Sequence, residues 1–223
     1  MKATLIGASG LIGGLVLERL LKDPFFDSVR ILTRKPFAME HPKLEKIQMD
    51  FRDMKTFRTV TEDIPIIFCA IGTTMEKVGG DKEAYRKVDF DIAVDAAHLG
   101  RQGGCKRFIL VSSVGANQKK RNFYQKLKGE TEEGVRRTAI ESIHIMRPSL
   151  LLGERTEERI REQRAQKIIP ALSFLLPGKY KPIRADTVAA AMVAASKLGN
   201  EGLHIHHYRD MKRLAKSDSL PVS

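Results

Sequence analysis

A serine, a tyrosine and a lysine near the middle of the chain have the types and spacing needed for proton transfer to a carbonyl oxygen. Ser113 ends the apolar run 108–113, Tyr124 follows eleven residues later, and Lys128 lies four residues beyond it. On a helix, residues four apart lie on the same face, one turn from each other. An ammonium beside a phenol favours the phenolate, and a serine hydroxyl next to it polarises a carbonyl. The spacing predicts an acid–base centre, the alternative being an ordinary tyrosine on an amphipathic helix.

The spacing of the tyrosine and the lysine is not specific by itself, because it recurs near the end of the chain. Tyr208 and Lys212 are also four residues apart, but no strand that ends in serine precedes them. We interpret this second pair as a coincidence and the first pair as functional because of its position.

Three glycines follow the first apolar segment of the chain at a spacing that suits phosphate binding. The run Thr4–Gly7 closes a predicted strand, and Gly10 and Gly13 lead into the apolar helix pattern of residues 11–21. A glycine turn that feeds a helix N-terminus presents backbone N–H groups and the positive end of the helix dipole to an anion. Gly7 permits the turn, Gly10 lets phosphates approach, and Gly13 lets the helix pack on the strand. A purely structural turn is the alternative, but the strand before and the helix after favour a dinucleotide site.

The residues at the ends of the second, third and fourth predicted strands indicate which dinucleotide this site would bind. At the end of the second strand, an acidic residue binds the adenosine ribose of NAD(H), whereas an arginine pairs with the 2′-phosphate of NADP(H). This chain has Arg34 and a second cation there and no carboxylate, which favours NADP(H) unless Arg34 is only a surface cation. Asp50, which ends the third strand, is expected to accept a hydrogen bond from the adenine amino group. The fourth strand ends in a wall of small residues beside the cofactor, formed by Ala70, Ile71 and Gly72.

Strand-like and helix-like patterns alternate along most of the chain, as in a parallel sheet with helices on both faces. The run Ile66–Ile71 is continuously apolar, which is typical of a central parallel strand. The patterns predict an α/β fold with a doubly wound parallel sheet, in a single domain over residues 1–210. From about residue 149 we expect a small C-terminal cap that completes a pocket at the carboxyl edge of the sheet. Residues 211–223 are expected to form a polar tail.

Composition and charge narrow the class of protein further. The 223 residues suffice for a full core, and no apolar run approaches the roughly 20 residues of a membrane span, so we expect no membrane partner. We also expect no signal peptide, and Cys69 and Cys105 indicate buried free thiols and a cytoplasmic location. The net charge is +12, but the basic residues are dispersed along the chain and are not combined with aromatic side chains on which bases could stack. We therefore expect no nucleic-acid partner. His204 and His206 have no evident acidic or cysteine partners, so we predict an edge strand there and no metal site.

Four segments together resemble the short-chain dehydrogenase/reductase superfamily, namely Gly7–Gly13, Val111–Ala116, Tyr124–Lys128 and Ile145–Pro148. More narrowly, the run 103–116, followed by Tyr124 and Lys128, is similar to the atypical members typified by the Tat-interacting oxidoreductase. The resemblance covers about the first 190 residues. It implies a Rossmann-type fold, NADP(H) binding and a catalytic set of Ser113, Tyr124 and Lys128. It also implies a phosphate loop formed by Gly7, Ser9, Gly10, Leu11, Ile12 and Gly13.

The resemblance also bears on two positions near the predicted catalytic set. Ser112 and Ser113 both end the strand, and the spacing from Ser113 to Tyr124 better matches that of the reductases. Many superfamily members carry an asparagine on the helix before the serine strand, where it completes a proton relay. The nearest counterpart here is Asp89, whose carboxylate is expected to bridge the same water. Its added charge slightly favours a regulatory role, since some atypical relatives sense the cofactor with little activity.

The sequence therefore predicts an NADP(H)-dependent reductase or dehydrogenase that acts on a small carbonyl or alcohol. In this hypothesis Tyr124 exchanges the proton, Lys128 tunes Tyr124 and holds the nicotinamide ribose, and Ser113 orients the substrate oxygen. The alternative is a non-catalytic NADP(H)-sensing protein that regulates a protein partner. A sugar-nucleotide epimerase fits less well, because the segment after Pro148 leaves little room for a nucleotide-binding cap. The patterns specify neither the substrate nor the oligomeric state.

Overall fold

The apolar runs of the sequence form the strands of one parallel sheet in a computed structural model that describes residues 1–152 and 178–217. Within these residues the sheet has seven strands, in the spatial order β3 (Leu44–Gln48), β2 (Ser28–Thr33), β1 (Lys2–Ile6), β4 (Ile66–Cys69), β5 (Arg107–Val111), β6 (Ser142–Met146) and β9 (Gly202–His206). Strands β2 and β3 are added on one side of β1, and the chain then returns to the other side of β1 to form β4. The strand order therefore reverses between β1 and β4, and the carboxyl ends of parallel strands open a crevice at such a point.

Helices cover both faces of this sheet. They are α1 (Leu11–Lys22), α2 (Met54–Thr61), α3 (Lys82–Arg86), α4 (Ile92–Gln102), α5 (Phe123–Arg137), α6 (Ala185–Ser196) and α7 (Tyr208–Ser217). The first, sixth and seventh helices share a core with one face of the sheet, and α2, α4 and α5 share a core with the other. This arrangement confirms the predicted doubly wound α/β fold of the Rossmann type.

Strand β4 lies at the centre of the sheet, as its apolar run predicts. All four of its residues are buried, and it pairs with β1 on one side and with β5 on the other. Phe68 on this strand is fully buried, and burial of one such side chain contributes about 1.5–3 kcal/mol. The core thus fixes the strand whose carboxyl end faces the crevice.

The helix predicted over residues 82–101 is present, but it is not uniform. Helix α3 runs into a segment of π-helix, Lys87–Asp91, which continues into α4. A π turn carries one extra residue per turn, which changes the direction in which its side chains point, and such turns recur at functional sites. In this π segment Asp89 is 2% exposed, so a carboxylate lies inside the protein.

The C-terminal segment corrects one prediction, since residues 211–217 belong to α7 rather than to a polar tail. Met211 is fully buried and Leu214 is nearly so, because residues three apart share one face of a helix, and this face packs on α6. Residues 218–223 and the centre of the predicted cap, 153–177, lie outside the described residues. The described part of the cap region forms a separate parallel pair of β7 (Leu151–Leu152) and β8 (Ile183–Arg184).

The described residues lack two kinds of feature, a membrane-spanning helix and a cluster of metal ligands. No helix there combines the length and the apolar character needed to cross a bilayer. The same residues contain no group of three or more histidine, cysteine, aspartate or glutamate side chains arranged to hold a metal ion.

Candidate functional site

The turn between β1 and α1 presents an uncapped helix N-terminus at the crevice. Gly7 has a φ of +96°, a conformation that favours glycine, and its carbonyl accepts a hydrogen bond of 2.9 Å from the N–H of Gly10. Gly10 is the N-cap residue of α1 and has no side chain with which to cap it, and the first turn of this helix contains no acidic residue. Backbone N–H groups of the first turn therefore remain available to an anion.

The glycines of this turn also allow close packing that any larger residue would prevent. A Cβ atom on Gly7 would lie 2.6 Å from backbone atoms of Ala70, at the end of β4. A Cβ atom on Gly13 would lie 2.0 Å from the carbonyl oxygen of Gly7. The turn, the helix and the end of β4 are thus in direct backbone contact, as a diphosphate site at a β–α crossover requires.

A cavity of about 380 Å³ opens beside this turn. Its walls come from the end of β2 and from the segments that follow β1, β2, β3 and β4. The lining residues are Gly7, Ala8, Ser9, Gly10, Leu32, Thr33, Arg34, Lys35, Pro36, Phe37, Phe51, Ala70, Ile71, Gly72, Thr73 and Lys77. Arg34, Lys35 and Lys77 are cations, and none of these lining residues is a carboxylate. The residues fit an anionic dinucleotide, with N–H groups at one end and a guanidinium beside the end of β2.

The structure places most of the predicted cofactor residues in this lining, but not all of them. The exceptions are Leu11, Ile12, Gly13, Asp50 and Lys128. Ile12 is buried in the core behind the turn, and Gly13 forms the contact with Gly7 described above. Both residues lie on the buried face of helix α1, and they support the turn from inside the protein.

The side chain of Asp50 contacts Arg52, whereas the sequence predicts a hydrogen bond with the adenine amino group. Its carboxylate forms an ion pair with Arg52 at 2.6 Å, and hydrogen bonds from the Arg52 side chain lower the pKa of Asp50 to about 2. The next residue, Phe51, lines the cavity in its place. The end of β3 therefore offers the pocket an aromatic ring rather than a carboxylate.

Helix α5 brings the predicted tyrosine and lysine together. The helix begins after Asn122, whose side chain accepts a hydrogen bond from the N–H of Gln125. Tyr124 is 40% exposed, whereas Lys128 is 6% exposed. The ammonium of Lys128 lies 6.0 Å from the centre of the Tyr124 ring. Tyr124 is therefore a solvent-accessible phenol, and its neighbour one turn along the helix, Lys128, is a buried cation.

The buried ammonium of Lys128 is paired with a buried carboxylate. Its Nζ atom lies 2.8 Å from Oδ1 of Asp89, and both side chains are almost fully buried. Burial disfavours the charged form of this lysine, but the charges of Asp89 and Tyr124 outweigh it and raise the pKa of Lys128. The π segment packs on α5 and places Asp89 in direct contact with Lys128.

The two candidate serines have different environments. Ser112 is buried and donates a hydrogen bond of 2.5 Å to Glu132, which also forms a two-pronged ion pair with Arg147. Ser113 is half-buried, and its hydroxyl makes a long contact of 3.4 Å with the carbonyl of Val114. Ser112 and Arg147 thus belong to a structural network at the ends of β5 and β6, whereas Ser113 keeps a weakly engaged hydroxyl.

The structure adds residues to the site that the sequence did not predict. Phe37, Phe51, Thr73 and Lys77 are among them, and all four line the cavity. They lie in connecting segments after strands, where no periodic pattern predicts which side chains turn inward. Lys77 carries no motif that would separate it from the other basic residues of the chain.

A glycine turn, an uncapped helix N-terminus and a pocket at the strand-order switch define a dinucleotide-binding Rossmann protein. Residues 7–197 match the family model described as NAD(P)H-binding, and the chain belongs to this family. Protein HTATIP2 of Rattus norvegicus is 31% identical over 192 residues, which are 85% of this chain and 78% of that protein. The mitochondrial protein FMP52 of Candida albicans is 30% identical over 210 residues, 91% of this chain and 90% of that protein. These relatives confirm the resemblance to the Tat-interacting group, and the cytoplasmic location of this chain stays a prediction.

Solved structures with the same fold bind nucleotide cofactors and sugar nucleotides. MoeE5, in complex with UDP-glucose and NAD, aligns with a TM-score of 0.69 at 14% identity, over 98% of this chain and 82% of that chain. The dTDP-glucose 4,6-dehydratase DesIV of Streptomyces venezuelae, with NAD bound, aligns with a TM-score of 0.71 at 16% identity, over 98% and 80% of the two chains. At these identities the likeness shows the fold alone.

Proposed function

We propose that this protein is an NADP(H)-dependent oxidoreductase that acts on a small carbonyl or alcohol through Ser113, Tyr124 and Lys128. One observation carries the proposal. Asp89 contacts Lys128 with one carboxylate oxygen and the N–H of Thr73 with the other, and Thr73 lines the cofactor cavity. The tyrosine–lysine face of α5 therefore lies against the wall of the dinucleotide pocket, where an acid–base group is needed.

The charges of the pocket support NADP(H) over NAD(H). Arg34 and Lys35 follow β2, where the adenosine ribose of a dinucleotide lies in this fold, and Lys77 adds a third cation to the lining. A guanidinium binds a phosphate with two parallel hydrogen bonds, whereas a ribose hydroxyl would call for a carboxylate. Since the described lining contains three cations and no carboxylate, a 2′-phosphate is the better match.

The proposed chemistry assigns one role to each of three side chains. The cofactor, when bound, supplies a hydride to the carbonyl carbon of the substrate. Tyr124 donates its hydroxyl proton to the substrate oxygen and recovers it from solvent, which its 40% exposure permits. Ser113 donates a hydrogen bond to the same oxygen, and the buried ammonium of Lys128 stabilises the phenolate and holds the ribose hydroxyls. The reverse sequence oxidises an alcohol.

The direct pair of Lys128 and Asp89 favours a second candidate function, a cofactor-sensing protein without turnover. A carboxylate 2.8 Å from the ammonium balances part of its charge, which leaves less of its field to favour a phenolate at Tyr124. A sensor needs only to bind the cofactor and to expose a surface that depends on it. We rank it second because Tyr124 and Ser113 gain no structural role from their contacts.

Turnover separates the two candidates. We expect the purified protein to oxidise NADPH in the presence of at least one member of a panel of aldehydes, ketones and quinones, and NADH much more slowly. A parallel pull-down from the native extract, with and without NADPH, reports on the sensor. NADPH binding without turnover of any panel member, together with a partner captured only with the cofactor, would replace the oxidoreductase with the sensor.

A further inference from the structure

The carboxylate of Asp89 uses its two oxygens on two different elements. Oδ1 lies 2.8 Å from Nζ of Lys128 on α5, and Oδ2 accepts a hydrogen bond of 2.8 Å from the backbone N–H of Thr73. Thr73 follows β4 and lines the cofactor cavity. One side chain therefore joins the helix of the acid–base residues to the wall of the pocket.

The surroundings of Asp89 hold this carboxylate in place from several sides. The hydroxyl of Thr131 on α5 donates a hydrogen bond of 3.3 Å to the backbone carbonyl of Asp89, which ties the π segment to α5. A Cβ atom on Gly72 would lie 3.8 Å from Oδ1, so the loop after β4 passes directly over the carboxylate. Asp89 itself is 2% exposed, which leaves water little access to either contact.

The two partners of Asp89 require two acceptors. An ammonium and a backbone N–H are both donors only, and an ionised carboxylate is an acceptor at both oxygens. An asparagine at this position would have to turn its NH₂ group toward one of the donors, which would break one of the two contacts. The aspartate is therefore the side chain of this size that satisfies Lys128 and Thr73 together.

We propose that Asp89 is a positioning residue that holds Lys128 and the Thr73 wall of the pocket in one arrangement, and thereby sets the affinity for the nicotinamide half of the cofactor. In this proposal the adenosine half binds beside Arg34, in the segment that follows β2, whereas Asp89 contacts the segment that follows β4. The inference rests on the proposed function in one respect, that Lys128 holds the nicotinamide ribose. It does not depend on turnover.

Two ligands distinguish positioning from a general role in folding. NADPH occupies both halves of the pocket, whereas adenosine 2′,5′-bisphosphate occupies only the adenosine half. We expect Asp89→Asn to weaken NADPH binding about 10-fold or more, since a hydrogen bond to a charged group is lost, and to leave the affinity for the bisphosphate within about twofold. Asp91→Asn, a half-buried position in the same π segment, is the matched control and should change neither affinity. Calorimetric titration measures both ligands on wild type and variants.

Several results would overturn the proposal. One is an unchanged NADPH affinity in Asp89→Asn, and another is an equal loss for both ligands, which would indicate a merely structural role. If Asp89→Asn does not fold by circular dichroism, Asp89→Ser is titrated instead, because the smaller side chain leaves room for a water that serves both donors. Failure of both variants to fold would make Asp89 a folding residue and would likewise contradict the proposal. A wild type that binds NADPH without turnover would refute catalysis and leave this test intact.

Discussion

Tyr124 and Tyr208 share a local arrangement but differ in their surroundings. Each is followed by a lysine four residues later, and the ammonium lies 6.0 Å from the ring centre in the first pair and 5.7 Å in the second. The lysine below Tyr124 is buried and contacts Asp89, whereas Lys212 is exposed on α7. A comparison of the two tyrosines therefore isolates the effect of location from that of spacing.

Replacement of Tyr124 by phenylalanine should remove the proton donor and keep the fold and the cofactor pocket. We expect the kcat for carbonyl reduction to fall by about 100-fold or more, as for loss of a general acid, with the NADPH affinity within about twofold of wild type. Steady-state kinetics and calorimetry measure the two quantities. Tyr208→Phe is the control and should retain full activity; an equal effect of both substitutions, or none at Tyr124, would exclude the proposed role.

Arg34 makes the preference for NADP(H) testable at one residue. We expect Arg34→Gln to lose a charge-assisted contact with the 2′-phosphate and to weaken NADPH binding about 10- to 100-fold, with little change for NADH. Arg52→Gln removes an exposed arginine that is paired with Asp50 outside the pocket and should affect neither cofactor. Fluorescence titration with both cofactors measures the difference. A wild type that binds NADH as tightly as NADPH would contradict the preference directly.

At the scale of elements, the crossover from β1 to α1 depends on one close backbone approach. A Cβ atom on Gly13 would meet the carbonyl oxygen of Gly7 at 2.0 Å, whereas a Cβ atom on Gly14 would lie at an ordinary 3.5 Å from Ala8. We expect Gly13→Ala to lower the free energy of unfolding by about 1–3 kcal/mol or more, and Gly14→Ala to raise it by about 0.5–1 kcal/mol. Urea denaturation measures both. Similar stabilities for the two variants would mean that the turn does not need its glycine.

The edge of the sheet contains a stack of three histidines from two strands. His144 on β6 is fully buried, and its ring lies 5.0 Å from that of His204 and 5.2 Å from that of His206, both on β9. Its Nδ1 atom is 2.9 Å from Nε2 of His206, so one hydrogen bond joins the strands through imidazoles. Burial, reinforced by the neighbouring histidines and Arg107, lowers the pKa of His144 to about 3. The predicted edge strand is confirmed, and the contact between His144 and His206 adds to the backbone pairing of β6 with β9.

This stack predicts a loss of stability in acid. A histidine whose pKa is depressed in the folded state takes up protons mainly when the chain unfolds, so its stabilising contribution is present above about pH 6.5 and is lost as the pH falls toward 3. For His144 alone we expect the free energy of unfolding to fall by about 2 kcal/mol between pH 7 and pH 5. Urea denaturation at both pH values should show this difference in wild type and a smaller one in His144→Gln. His98→Gln, on the exposed side of α4, is the control. An unchanged pH difference in His144→Gln would refute the prediction.

At the scale of the whole molecule, the alternation of apolar runs and helix patterns was enough to predict the architecture. The inner strands β1, β4, β5 and β6 are buried over most of their length and therefore read as short apolar runs, and Ile66–Cys69 is the clearest case. The same order of elements brings the glycine turn, the serine that ends β5 and the start of α5 to one edge of the sheet. A local motif and its position along the chain could therefore predict most of the site.

Other features depend on contacts that no local pattern specifies. No sequence pattern marks the π segment, which changes the direction of its side chains, so the sequence could not show that Asp89 meets Lys128 directly. Helix α2 has few apolar residues and was missed, although Asp53, which caps it by accepting from two backbone N–H groups, was a usable signal. The polar end of the chain concealed Met211 and Leu214, whose spacing of three was the sign of a buried helical face. The last two features left a local signal in the sequence, whereas the contact of Asp89 with Lys128 depends on tertiary packing alone.

The most direct measurement is a crystal structure of the protein grown with NADP⁺. The account predicts that the diphosphate lies on the turn Gly7–Gly13, that the 2′-phosphate contacts Arg34, and that the nicotinamide end reaches Tyr124 and Lys128. Electron density for the dinucleotide elsewhere on the molecule, or a nicotinamide end directed away from α5, would contradict it.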